Sequence, residues 1–552
     1  MSEKQTSLWR KALNTGLFGG GVAIYLSLVG MVEGFGERYI ISGIVTMGQI
    51  FLLAPIFLMT FLGGRRGGDQ PRRRQILLGL LSGFFSGLLL TIFLVIGSLV
   101  NLRAMFINAS PALYEIISFG LPAPAGFITP LVYGTILGLA ATGIYLLPQR
   151  IRSSVIQAIV VVILVGLVRD LIMAVINNWG FVKTLFVWLF ASSGLKLIGA
   201  LVLFILVFGV SYWRSGKPKT EGPSRFTRTP RAKTISGIAL VGFLLTLPPL
   251  LGIFFSEALN SVGLYILMGL GLNIVVGYAG LLDLGYVAFY AIGAYTMGVL
   301  TSPELGGSFN LTFWQALPFA LIMSVLAGVI LGLPVLRLRG DYLAIVTLGF
   351  GEIVRLLFLS DWLRPFVGGT QGIQGIAQPT IGPITISSPQ EFYYLILACI
   401  AIVLFIAWRL KDSRIGRAWM ALREDEDVAQ AMGLNLVMTK LLAFASGALF
   451  SGLGGAIFSS KLTSVYPHSM NFFVSINVLS LIIIGGMGSI PGVVVGALAL
   501  IGFPELLREF SEYRLLVYGA VLVAMMLYKP EGLWPEARRK LELHEEAEIL
   551  AE

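Results

Sequence analysis

Apolar runs of about 17 to 25 residues recur from Leu17 to Tyr528, each long enough to cross a hydrocarbon core about 30 Å thick. In lipid a backbone must satisfy its own hydrogen bonds, so such runs form helices or a closed barrel. They lack the two-residue alternation of barrel strands, which leaves helices. The expected fold is all-α: a polytopic transmembrane helical bundle of about 14–16 membrane segments, with re-entrant helices among them.

Composition narrows the function. The 552 residues are 56% hydrophobic and 12% charged, with a mean hydropathy of +0.86, which excludes a soluble enzyme or scaffold. A net charge of +10 fits cytoplasmic loops facing anionic membrane lipid rather than nucleic acid. The single cysteine, Cys399, lies in an apolar run and the only histidines are His468 and His544. Neither a disulfide framework nor a metal site is expected. Lys4, Arg10 and Lys11 precede the apolar run Leu17 to Met31 in the manner of a signal peptide. No small-x-small cleavage site follows, so a retained first helix is expected.

Six spans are expected first, near 17–32, 40–62, 76–100, 127–147, 155–176 and 184–212, the last with an alternative break at Ser192-Ser193-Gly194. Basic clusters at Arg65-Arg66, Arg72 to Arg74, Arg150 with Arg152 and the segment after Trp213 alternate with loops around Glu33, Glu115 and Asn177. Lys/Arg excess marks the cytoplasmic side, so the N-terminus and residue 213 are both expected inside. Residues 1–212 thus form one membrane region, 213–234 a basic cytoplasmic linker rich in Pro, Gly, Ser and Thr, 235–530 a second membrane region and 531–552 a cytoplasmic tail. Spans in the second region are expected near 235–255, 259–277, 280–300, 313–335, 341–359, 392–410, 441–460, 472–484, 493–507 and 513–528. Gly485-Gly486-Met487-Gly488 between two short runs suggests a broken or re-entrant pair. Arg337 with Arg339, residues 413–440 and Arg538 to Lys540 then fall inside, and the polar stretch from Asp361 to Gln390 outside.

The stretch 413–440 is a polar island between apolar spans. Read as one short amphipathic helix it places Ala418, Ala421, Leu422, Val428, Ala429 and Met432 at three-to-four spacing, with Gly433 as its stop. Its composition suits either a docking element or a solvated loop. Charges at membrane depth are functional candidates by default. Asp283 lies among Gly277, Gly280 and Gly285, where a broken helix would expose backbone groups able to hold the two ends of an amino acid. The competing reading, favoured by the topology, makes Asp283 a helix cap at the cytoplasmic edge. Glu352 and Arg355 share a helix face and neutralise each other, and Tyr286, Phe289, Tyr290 and Tyr295 line a pocket or pack. Ala443, Gly447, Ser451, Gly455 and Ser459 repeat every four residues, a stripe that lets helix backbones approach closely. No phosphate-binding G-x-x-x-x-G-K-[ST] loop and no chain of buried acids is present.

Three stretches carry a resemblance: GLNIVVGYAGLLDLGYVAFYAIGAY ending at Tyr295, LRLRGDYLAIVTLGFGEIVR at 336–355, and SRIGRAWMALREDEDVAQAMGLN from Ser413, followed by KLLAFASGALFSGLGGAIF. They resemble the LivM-type permeases of high-affinity branched-chain amino acid ABC importers over about 235–530, and the related urea permeases less. The resemblance implies a permease subunit, not an enzyme, in the bacterial cytoplasmic membrane. It also implies a second, LivH-like permease, two ABC ATPase subunits that carry the ATP, an extracytoplasmic amino-acid-binding protein and no cofactor in this chain. The segment matching the ATPase-coupling helix runs from Gly416 to Gly433, and its implied coupling residues are Gly416, Arg417, Ala421, Leu422, Arg423, Glu424, Asp425 and Gly433. A substrate pathway would involve Asn273, Gly280, Asp283, Tyr286, Tyr290 and Glu352. Residues 1–212 match none of the family's motifs, which disfavours a fusion of the two permeases. An ion-coupled transporter or channel is the rival reading, and a membrane enzyme finds no catalytic constellation.

Overall fold

The computed structural model describes residues 3–66, 71–177, 186–215, 230–304, 309–335, 340–506 and 531–535, with isolated positions between them. The expected span 513–528, the cluster Arg538 to Lys540, the linker core 216–229, Arg337 and Arg339 lie largely or wholly outside the described residues. Its contacts divide the chain into two compact units, Met1–Lys233 and Thr234–Glu552.

In the first unit the apolar runs become α1 (Glu3–Leu28), α2 (Met47–Arg66), α3 (Arg72–Leu99), α4 (Ala125–Leu146), α5 (Gln149–Leu167) and α6 (Leu197–Arg214). The first helix begins well before the expected Leu17, because polar residues 3–16 continue it, and it ends just ahead of Gly30, which takes a φ of +94°. The run 184–212 is broken as its alternative foresaw: the Ala191 amide donates to the Gly194 carbonyl at 2.7 Å and only α6 continues as a long helix. Small residues decide the packing. Gly79, Gly83 and Gly87 of α3 meet Gly138, Gly134 and Pro130 of α4, so the two helices run antiparallel with their backbones in contact. Gly16 and Gly20 of α1 sit on Ser82, Ser86 and Leu89 of α3, and Ser86 Oγ donates to the Gly16 carbonyl at 2.8 Å. Lipid offers helices no hydrophobic drive to associate, so close van der Waals contact through small residues takes its place.

The second unit comprises α7 (Pro230–Leu272), α8 (Val287–Thr301), α9 (Phe313–Val335), α10 (Asp341–Leu359), α11 (Pro389–Lys411), α12 (Arg414–Glu424), α13 (Glu426–Ala431), α14 (Leu436–Leu462), α15 (Phe472–Gly485) and α16 (Ile490–Ala497). The helix α7 is two legs. Leu244 and Leu245 carbonyls accept from Tyr393 and Tyr394, while Asn260 donates to Pro389 at 2.7 Å. A straight helix would hold residues 244 and 260 about 24 Å apart at 1.5 Å per residue, so the chain must fold back between them. It does so at Pro248-Pro249 and Gly252, whose φ is +83°.

Residues 373–374 pair antiparallel with 464–465, which places the stretch 361–390 at the same end of the unit as the end of α14 and opposite the 412–435 region. That stretch is packed rather than loose: Trp314 donates to the Thr380 carbonyl at 2.7 Å and the Ile376 amide to Thr463 at 3.1 Å. Among the described residues eleven helices are long and apolar enough to cross a membrane, and Val287–Thr301 and Ile490–Gly502 are shorter apolar helices. Counting α1 and both legs of α7, the number of segments falls in the expected range. The protein is a multi-pass, all-α membrane protein.

Candidate functional site

The second leg of α7 ends in a π-turn over Asn273–Tyr278, and no helix resumes until Val287. Gly280 takes a φ of +71°, a conformation that costs glycine nothing, and a Cβ at Gly285 would overlap the Thr347 carbonyl. The break sits deep. The Tyr286 hydroxyl donates to the Gly447 carbonyl at 2.8 Å, and Tyr290 and Ala294 flank Gly455, so α8 accompanies only the second half of α14. The Val287 amide donates to Ser475 Oγ at 2.9 Å, three residues into α15, so the first turns of two short helices meet there.

A backbone that leaves its helix in this environment needs substitutes for the missing rungs. Each comes from a different element. The Gly488 amide donates to Asn273 Oδ1 at 2.8 Å, the Leu284 amide to Thr347 Oγ1 at 3.0 Å, and Ser451 Oγ to the Tyr286 carbonyl at 3.3 Å. Arg423 Nη1 donates to the Gly277 carbonyl at 2.7 Å. Asn273, Asp283 and Tyr286 are sealed from solvent.

Asp283 is not the cap expected of it. Its Oδ1 accepts from the Gly285 amide at 2.9 Å, closing a turn that ends one residue before the α8 N-cap, Tyr286, which makes no side-chain cap. Its Oδ2 is buried with no hydrogen-bond partner among the described residues. From there the chain runs to the middle of α14, where Tyr286 meets Gly447. Tyr290 packs on Phe458 with ring centroids 5.4 Å apart, and Glu352, next to the Gly351 that packs on Gly285, is held by Arg355 Nε at 3.0 and 3.1 Å.

The polar island departs from the single helix expected. It is two, α12 and α13, because Asp425 takes an extended conformation and its carboxylate accepts from the Asp427 and Val428 amides at 2.9 and 3.0 Å. An N-cap carboxylate starts a new helix, so the three-to-four stripe is cut at that point. Gly416, Trp419, Leu422 and Ala429 are buried, whereas Val428 and Met432, expected on the same face, are 58% and 80% exposed. Ala421 is half-buried, and Arg417, Arg423, Glu424 and Asp425 are on the exposed side. Gly433 ends α13 with a φ of +88°. Gly416 rests on the Leu410 and Lys411 carbonyls, where any side chain would overlap. Trp419 Nε1 donates to the Thr439 carbonyl at 2.9 Å, and buried Lys440 pairs with Glu426 at 2.5 Å.

The stripe on α14 is internal to this chain. Gly447 faces Gly271, Val275 and Tyr286, Ser451 reaches Tyr286, and Gly455 meets Tyr290, while Ala443 and Ser459 are fully buried. A second small-residue face that the spacing also contains, Ala448 and Gly452, seats Gly328 and Ser324 of α9. The turn 485–489 is held from the other side by Leu533 and Trp534, whose amides donate to Ile484 and Gly485 at 2.8 and 2.9 Å. Sequence reasoning did not single out Thr347, Ser475, Trp419 or Lys440, and it marked Gly488 only as part of the glycine run between two short spans. Ser and Thr in apolar helices carry no spacing signal, but a lone Lys just inside the start of an apolar run does, because it requires an acid nearby. Among the described residues no three His, Cys, Asp or Glu side chains are grouped to hold a metal.

Comparison with known proteins follows this geometry. Residues 254–526 match the family described as branched-chain amino acid transport system / permease component. The chain is 43% identical over 303 residues to the high-affinity branched-chain amino acid transport permease LivM of Salmonella typhimurium, covering 51% of this chain and 70% of that protein. It is 26% identical over 301 residues to LivH of the same organism, 51% of this chain and 95% of LivH, and 24% identical over 324 residues to a probable LivM of Methanocaldococcus jannaschii, 50% and 91%. No solved structure matches. The family match leaves the first unit aside and spans the broken helix, α12, α13 and the α14 stripe. The chain belongs to the branched-chain amino acid transport permease family.

Proposed function

We propose that this chain is the membrane permease subunit of an ATP-driven importer for leucine, isoleucine, valine or similar apolar amino acids. It works beside a second, LivH-like permease, two ATPase subunits that bind the ATP and an extracytoplasmic binding protein. It sits in the bacterial cytoplasmic membrane with both termini inside, and needs no cofactor of its own. The relatives' names supply the substrate class, and the alternation of basic loops supplies the orientation.

One observation carries the mechanism. The water-facing helices α12 and α13 are tied to the broken helix, Arg423 to Gly277. The exposed surface of Arg417, Val428 and Met432 is what an ATPase cleft would receive, apolar knobs for adhesion and a charge for register. The passage itself centres on Asn273, Gly280, Asp283 and Tyr286, with Tyr290 in its wall and the neutral Glu352–Arg355 pair at its flank. The free Oδ2 of Asp283 would accept from a substrate ammonium group, and the first turns of α8 and α15, positive ends of their dipoles, suit its carboxylate. Apolar side chains cross among Tyr, Leu and Gly without needing polar partners.

The test is uptake of labelled leucine into vesicles holding the chain purified with its associated subunits. Uptake that requires enclosed ATP and saturates with binding protein is the expected result. Uptake that ignores ATP and collapses with an ion gradient would replace this reading with an ion-coupled carrier.

A further inference from the structure

Among the coupling residues, Arg423 was expected to face an ATPase; it is exposed, yet its guanidinium reaches back to the broken helix. Nη1 donates to the Gly277 carbonyl at 2.7 Å, an oxygen freed by the end of the α7 helix. Its stem lies against Gly280, which stays exposed on its other side: a Cβ there would stand 2.8 Å from Arg423 Cγ and 3.1 Å from Cβ, on a residue whose φ is already +71°. The helix that carries it is fixed at three other points, with Gly416 seated on the end of α11, the Trp419 indole on the Thr439 carbonyl and buried Leu422 beneath. Gly277 in turn packs on Gly488 and Asn273, whose amide oxygen accepts from Gly488, and Gly280 leads in three residues to Asp283.

From this geometry we infer that Arg423 is a positioning residue, the tie rod between the docking helices and the broken helix, and not a contact for the ATPase. The inference rests on the permease reading and adds to it the residue through which force enters the membrane. Displacement of α12 as a rigid bar is delivered to Gly277 and Gly280 by one charge-assisted hydrogen bond and one stem packed on bare backbone. The hydrogen bond is short, and the stem occupies the place a side chain on Gly280 would take. Arginine suits the post because it stays charged and its long apolar stem packs while its head bonds.

The assay compares ATP hydrolysis with leucine uptake in vesicles holding the complete complex. Arg423→Ala is expected to leave the ATPase subunits bound and hydrolysing, while uptake per ATP falls about tenfold, the scale of one charge-assisted hydrogen bond. Arg423→Gln, which keeps part of the stem and an N–H donor, is expected to recover part of the ratio. Gly280→Ala should uncouple in the same way, and less so in an Arg423→Ala background, since the nearest contact, with Cγ, is then gone while the strain of a side chain at a φ of +71° remains. Loss of the ATPases from Arg423→Ala would overturn the proposal in favour of a docking contact. An unchanged uptake-to-ATP ratio, or failure of both the Ala and Gln variants to insert, would also overturn it. If the unaltered complex shows no ATP-dependent uptake, the permease reading itself has failed, before any variant is compared.

Discussion

Both units must hold apolar helices together in lipid, and they do it by different means. In Met1–Lys233 the central contacts are backbone against backbone, with Gly79, Gly83 and Gly87 set into Gly138, Gly134 and Pro130, and the long helices run on unbroken, giving up single rungs at Pro55 and Pro130. Buried hydroxyls there mostly return to their own helix, as Ser27 does to Ala23 and Thr142 to Gly138. In Thr234–Glu552 helices are interrupted at Gly252, between Tyr278 and Val287, and between Gly485 and Ile490, and side chains from distant segments take over the missing bonds. A helix that keeps its rungs has one good arrangement. A break held by borrowed partners can exchange them, which is what a passage that opens and closes requires.

The largest effect that would sharpen this contrast concerns charge. The ion pairs described in the first unit, Arg38–Asp170 and Arg169–Asp170, leave Asp170 half exposed, whereas Lys440 in the second is 2% exposed at its side chain and faces Glu426. Removing one partner of such a buried pair costs about 3–5 kcal/mol. Lys440→Met is therefore expected to lower the thermal transition in detergent by the largest step of any single change proposed, and to expose 425–433 to protease. Adding Glu426→Gln should restore most of it. If Lys440→Met is as stable as the parent, the pair is not buried in the sense argued and the contrast in charge burial disappears.

The next effect tests the backbone contact of the first unit. A Cβ at Gly83 would overlap the Gly134 carbonyl oxygen, while one at Gly143 on α4 meets nothing within 4 Å. Overpacking of this kind costs about 1–3 kcal/mol. Gly83→Val is expected to cut the yield of monodisperse protein and lower its unfolding temperature, with Gly143→Val close to the parent by the same size-exclusion and melting measurements. Equal behaviour of the two would mean that the α3–α4 seam is not the organising contact.

Much of this was readable in the chain. Apolar run length gave the helices, and Gly277, Gly280 and Gly285 marked the break, because glycines so close together have few other uses in an apolar run. The stripe from Ala443 to Ser459 was visible by spacing, but the matching stripes Gly79-Gly83-Gly87 and Gly134-Gly138 were passed over although the spacing is the same. What periodicity could not give is the partner of a buried polar group. Nothing near Arg423 in sequence names Gly277, 146 residues away, and nothing near Val287 names Ser475. Asp425 misled for a physical reason: an acid in an amphipathic pattern reads as surface charge, whereas its short carboxylate is better used to begin a second helix.

The smallest effect is a paired one and bears on the contrast most directly, because the same atom is deleted in both units. Ser475→Ala removes the acceptor of the Val287 amide at 2.9 Å, a bond between elements 188 residues apart. Ser27→Ala removes a hydroxyl that, among the described residues, bonds at 2.8 Å to the carbonyl of Ala23 in its own helix, which the helix ladder also serves. An amide left buried without a partner costs about 1–3 kcal/mol, whereas deleting a side-chain hydrogen bond within a membrane bundle averages about 0.6 kcal/mol. Ser475→Ala should lower the unfolding temperature and speed hydrogen exchange at the start of α8, while Ser27→Ala should change neither beyond error. Were the two indistinguishable, packing alone would hold the break, and the distinction between rungs kept and rungs borrowed would have no energetic content.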